Sequence, residues 1–130
     1  MKTELMYLLW VTALTAVMWM PYIVDRIMVR GIIDAVGYPA NPKPQSPWAQ
    51  RLMAAHANAV ENLVVFAALV LLAQNAGVSN TATIVACMVY FWARVVHLVT
   101  YTAGLPWLRT LSFAVGFGCQ ITLAWQLLAR

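Results

Sequence analysis

Arg51, Asn58, Glu61 and Asn62 recur at helical spacing inside an otherwise apolar stretch. At about 100° per residue they share one face about 100° wide, while His56 points away from it. Further along, Tyr90, Arg94, His97 and Tyr101 make a second, narrower stripe. Ionisable groups inside a bilayer are costly and ordinarily face a partner or a cavity. Two such stripes on adjacent helices therefore predict a buried polar seam. Glu61 and Arg94 fall at similar depth, so an ion pair between them is expected. That pair alone could fix helix register, but it leaves Asn58, Tyr101, Arg109 and Arg30 unexplained. Arginine forks bind carboxylates bidentately, a glutamate can hold an amine, and a guanidinium beside a thiol favours the thiolate. The set suits an anionic ligand that also carries an ammonium; it permits thiol chemistry without singling it out.

The elements that position these side chains follow from composition. Hydrophobic residues make up 63% of the 130 and charged residues 9%, against roughly 45–50% and about 25% in soluble domains. So few charges exclude a water-soluble monomer and a disordered chain. Leu5 to Val24 carries no charge and is long enough to cross a ~30 Å hydrocarbon core. Pro21 should kink or end that helix. The charged, proline-rich stretch that follows reads as a surface loop over about 30–47. Further helices are expected at about 48–75, 80–102 and 107–129, after a first at about 5–29. Four spans joined by short turns predict an all-α, antiparallel transmembrane bundle in one domain.

Eight Lys/Arg against four Asp/Glu report topology before nucleic-acid binding, which is not expected. The basic residues Arg26, Arg30, Lys43, Arg51 and Arg109 gather on one side, with Lys2 and Arg130 on the other. The positive-inside rule then puts both termini on the non-cytoplasmic side. Trp48, Trp107 and Trp125 fit interfacial anchors, whereas Trp10, Trp19 and Trp92 read as packing residues.

The segment Arg51-x-x-x-Ala55-x-x-Asn58-x-x-Glu61-Asn62-x-x-x-Phe66 resembles the second-helix signature of the MAPEG family, the membrane-associated proteins in eicosanoid and glutathione metabolism. Ala93-Arg94-x-x-His97-x-x-x-Tyr101, followed by Arg109 after a Gly-Pro break, resembles that family's third-helix signature. The resemblance implies a homotrimer with glutathione bound between subunits near the cytoplasmic face. Asn58, Glu61, Arg94, Tyr101 and Arg109 match positions that hold glutathione or frame its site; His97 falls in the same third-helix segment, and Arg51 and Arg30 match less closely. Arg109 takes the place assigned to thiolate stabilisation. The activity implied is a bacterial-type glutathione transferase or peroxidase in the inner membrane, acting on hydrophobic electrophiles from the bilayer. Ala54 stands where eicosanoid members have a glutathione-binding arginine, Asn62 and His97 where some have tyrosine, and Phe113 lacks a hydroxyl found in prostaglandin-type members. These departures keep open a non-catalytic lipid-binding or accessory subunit as the alternative.

Other signals read as structure. Cys87 and Cys119 have no basic neighbour in sequence and read as inert buried thiols. Two histidines without further ligands do not make a metal site, and His56 is expected at the rim of the polar site. Ser112, Gly116 and Gln120 recur every four residues and Ala114 with Gly118 forms a small-xxx-small pair, a pattern expected to serve contacts between subunits. A small multidrug transporter needs a carboxylate within the first span, and Leu5 to Val24 has none.

Overall fold

Between its turn signals the chain offers the backbone almost nothing but aliphatic and aromatic neighbours. In a bilayer such a segment must satisfy its own N–H and C=O groups, which a helix does. The computed structural model describes residues 1–129; Arg130, counted above with Lys2, lies outside the described residues. The helices are α1 (Thr3–Val17), α2 (Trp19–Arg30), α3 (Ile32–Val36), α4 (Pro47–Asn75), α5 (Thr81–Ala103) and α6 (Pro106–Leu128). Helices α1 and α2, interrupted at Met18, make one span, so four stretches among the described residues are long and apolar enough to cross a membrane. The protein is an all-helical integral membrane protein.

Pro21 has no N–H to give the Val17 carbonyl, and the first span continues past it rather than ending. The ladder lapses at Met18, whose N–H reaches only the Thr15 carbonyl, at 3.4 Å. Gly31, at φ 79°, stops α2 in a backbone conformation that side chains disfavour. The stretch beyond, read from sequence as a surface loop over about 30–47, opens with the short α3. Its proline-rich return is strapped to α2. The buried Asp25 carboxylate accepts from the Ser46 N–H at 3.0 Å and from the Ser46 hydroxyl. Gln45 Nε2 donates to the Tyr22 carbonyl at 2.7 Å, and Arg26 Nε donates to Gln45 Oε1 at 3.0 Å. Pro47, in the first turn, then starts α4 where its missing N–H costs nothing.

At the opposite end, Asn80 and Thr83 close a reciprocal capping box over α5, with Asn80 Oδ1 accepting from the Thr83 N–H at 3.0 Å. The Thr83 and Ser79 hydroxyls both donate to Glu4 Oε2, at 2.9 and 2.7 Å, tying the start of α1 to this cap. Asn80→Ala should therefore lower stability by about 1 kcal/mol, read as a lower thermal midpoint in detergent.

Helix α5 is central, packing most extensively on α6 and then on α4 and α1. The Tyr90 ring stacks on Phe66 at 3.8 Å between centroids, 9° from parallel. Tyr90 was placed on the polar stripe; its ring is core instead, facing Gly116, where an added Cβ would sit 3.7 Å from it. The stripe Ser112, Gly116, Gln120 is likewise buried within this chain rather than left for contacts between subunits, because close approach of α6 to Tyr90 needs small residues. Ala114 and Gly118 remain exposed. Trp10, Trp19 and Trp92 are also about half exposed on outer faces, since a single bundle of four spans encloses only a narrow core.

Candidate functional site

The polar side chains converge where α4, α5 and the first turns of α6 meet. Gly104, at φ 80°, lets α5 end abruptly: its N–H bonds the Tyr101 carbonyl at 3.1 Å and the Leu105 N–H bonds Thr100 at 2.9 Å. The chain can then restart at Pro106 with Arg109 in the opening turns of α6. This reversal sets Arg109 beside Tyr101, with the guanidinium carbon 4.7 Å from the ring centroid. A cation near a helix N-terminus opposes the macrodipole, so Arg109 does not serve its own helix. Guanidinium and helix start instead add to one positive potential, which suits an anion.

Arg109 and Tyr101 share a notch of about 240 Å³ with Asn58, His97, Thr110 and Phe113. His97 is 2% exposed, and its Nδ1 has no hydrogen-bond partner among the described residues. Its ring lies edge-on to Tyr101 at 5.4 Å. A second cleft of about 270 Å³ shares Tyr101 and Arg109 and adds Arg51. Arg51 Nε donates to the Thr102 carbonyl at 2.8 Å, across the end of α5. Among the described residues no carboxylate lines either space.

Behind the notch stands a rigid polar relay. Arg94 is 4% exposed and its Nη2 donates to Asn58 Oδ1 at 2.9 Å. Asn62 Nδ2 donates to the Asn58 carbonyl at 2.9 Å, and Gln120 Nε2 donates to the Asn62 carbonyl at 3.2 Å. The relay links α5, α4 and α6 and fixes the Asn58 amide at the notch. Arg94 thus touches the site through Asn58.

Several expectations need correction. The Glu61–Arg94 ion pair does not form within the chain: Arg94 is taken by Asn58, and Glu61 lies exposed on the outer face of α4. Helical geometry explains this, since Glu61 sits at the far edge of its polar stripe, about 80° from Arg51, and that edge turns away from α5. His56 is not at the rim; its Nδ1 and the Tyr22 hydroxyl share a 2.8 Å hydrogen bond on the side facing α2. Arg30 stands apart from the notch, its Nε donating to the Lys43 carbonyl at 2.8 Å. Thr110 was missed as a lining residue, although it adjoins Arg109 and could have been found from that neighbour. Gln120 was read as packing alone, yet it closes the relay.

The model of the MAPEG family matches residues 7–129 of this sequence. The chain belongs to the MAPEG family. Among curated proteins it is similar to human microsomal glutathione S-transferase 1, 34% identical over 80 residues, covering 61% of this chain and 52% of that protein. The rat and bovine proteins of the same name are each 32% identical over the same length and shares. The chain thus aligns with about half the length of the curated relatives it matches. No solved structure gives a significant match. For a MAPEG protein, the match extends from the first span to the last.

Proposed function

We propose that this chain is a membrane-bound glutathione transferase or peroxidase acting on hydrophobic electrophiles that arrive from the bilayer. The observation that carries the reading is Arg109, held over Tyr101 at a helix start in a notch free of carboxylates. Such a guanidinium stabilises a thiolate, which then attacks an electrophilic carbon as the leaving group departs. The similarity to microsomal glutathione S-transferase 1 supports glutathione as the thiol.

Glutathione brings two carboxylates, one ammonium and one thiol. Arg109, Arg51, the Asn58 amide and the free Nδ1 of His97 suit the anionic and polar groups. The ammonium finds no carboxylate in this notch. Glu61, exposed on a face otherwise rich in valine and alanine, is the obvious counterpart if a neighbouring copy presents it. Our reading is thus a homotrimer in which Glu61 of one subunit and Arg109 of another act on one ligand, with Arg30 brought near by the same assembly. The basic end faces the cytoplasm and the membrane is the bacterial inner membrane.

A second reading, a lipid-binding or accessory subunit, is favoured by Phe113, which gives the notch a hydrocarbon wall, and by Ala54, an exposed methyl where a charge could stand. One experiment separates them. The purified protein is titrated with glutathione and assayed for conjugation of a generic aryl halide. Saturable binding with turnover is expected; absence of both, with lipid retained through purification, would establish the second reading. A stable monomer by native mass or crosslinking would sink the shared site.

A further inference from the structure

Five large apolar side chains crowd one exposed stretch at the basic end of the first span: Met28, Ile32, Ile33, Val36 and Tyr38. Ile33 and Val36 are 83% and 76% exposed, and they belong to α3, which packs appreciably on α2 alone. At about 100° per residue, Ile32, Val36 and Ile33 fall within one arc about 100° wide, with Asp34 on the opposite side of α3. The stripe does not begin there. Met20, Val24 and Met28 follow one another every four residues along the exposed flank of α2, and Ile32 and Val36 keep that spacing past Gly31. Leu5 to Val24 suffices for the hydrocarbon core, so the last turns of α2 add about 9 Å and run through the head-group layer. Gly31 ends α2 at that depth, and α3 starts within reach of the same layer. Cations border this face. Arg30 spends Nε on the Lys43 carbonyl, which brings the two residues together. The terminal nitrogens of Arg30 and the exposed Lys43 ammonium have no partner among the described residues. Of the two acids close by in sequence, Asp25 is buried and engaged by Ser46, which leaves Asp34.

An apolar face edged by unpaired cations fits the surface of a bilayer that carries negative head groups. We propose that α3 and Tyr38 lie in the leaflet at the basic side of the membrane and bind anionic phospholipid. Ile32, Ile33 and Val36 sit among the upper acyl carbons, with Arg30 and Lys43 on the phosphates. The stripe carries the choice of occupant. Met20 and Val24 are exposed within the span, where the medium is hydrocarbon, and the same flank leads into α3 without a polar interruption. Tyr38, fully exposed, has the amphipathic ring that favours the head-group level. Through Asp25 and Ser46, such an anchor holds the proline-rich return and the start of α4 at the membrane surface. This inference does not rest on the thiol reading. Where that reading brings Arg30 to a shared ligand, Lys43 keeps the surface charge.

The test uses the full chain in nanodiscs of phosphatidylcholine, with and without phosphatidylglycerol. Spin labels are placed at Ile33→Cys and Val36→Cys, and at Asn75→Cys in the turn at the other end of α4 as a water-exposed reference; Cys87 and Cys119 are buried. Collisions with a water-soluble nickel chelate and with oxygen then report depth. The first two labels are expected to meet the chelate several-fold less often than the reference and oxygen more often, with the contrast growing when phosphatidylglycerol is present. Independently, native mass spectrometry should show retained phosphatidylglycerol, relative to phosphatidylcholine, falling about fivefold for each of Arg30→Gln and Lys43→Gln, the scale for one cation at a negative surface. Labels at Ile33→Cys and Val36→Cys as open to the chelate as the reference would overturn the proposal. So would shielding and lipid ratios indifferent to phosphatidylglycerol and to both glutamine variants. Strong dipolar broadening between Val36→Cys labels would overturn it too, by placing a second copy over this face.

Discussion

Arg109→Ala is expected to lose about two orders of magnitude in kcat/KM for aryl halide conjugation, the scale for one donor aimed at developing or stabilised negative charge. The same variant should melt within about 1 kcal/mol of the parent. Its folded-state contacts are modest: a guanidinium over the Tyr101 ring, worth about 0.5–1 kcal/mol at an accessible site, set against an unfavourable position near a helix N-terminus. Arg109→Lys keeps the charge, loses the fork and should fall between the two. The diagnostic is the thiolate absorbance of bound glutathione, which should weaken in step with turnover. Turnover intact in Arg109→Ala would remove Arg109 from the chemistry.

The relay behind the notch predicts an asymmetric pair of stability effects. Asn58→Ala strips the Arg94 guanidinium of its only hydrogen-bond partner among the described residues and leaves it buried at 4% exposure. Removing one partner of a buried charge costs about 3–5 kcal/mol in soluble proteins, and less where the unfolded chain stays in the membrane. Arg94→Met removes the charge itself and fills much of its volume, so it should cost less than Asn58→Ala even though it deletes the larger polar group. Thermal melts of the two variants in one detergent decide the matter. If Arg94→Met proves the worse, the guanidinium is hydrated or paired across subunits.

The spans were legible because each is a long apolar run between strong punctuation, Pro47 at one start, Gly104 and Pro106 at a break. Pro21 was legible as a choice between kink and stop, and continued helix-forming sequence through Arg30 excluded the stop. Arg51, Asn58, His97, Tyr101 and Arg109 could be grouped from spacing and resemblance, since one helical face and one reversal suffice to bring them together. Glu61 shows the limit of that method. A face about 100° wide is wider than any one neighbour can cover, and only packing reveals which edge meets α5 and which turns outward. His56 and Tyr22 illustrate the same limit for a residue off the stripe. Asp25 with Ser46 lay beyond reach for another reason: their contact spans a proline-rich return whose path no periodicity encodes.

Glu4 sets an order on biogenesis. Its carboxylate is satisfied by Ser79 and Thr83, hydroxyls that follow it by 75 and 79 positions. During synthesis the first helix therefore enters the lipid before the donors to its carboxylate exist, with that carboxylate waiting at the water boundary. Only when the hairpin of the second and third spans has inserted can the opening segment lock into place. A ribosome stalled before Ser79 should leave the nascent first helix open to protease near Glu4, and one stalled beyond α5 should not.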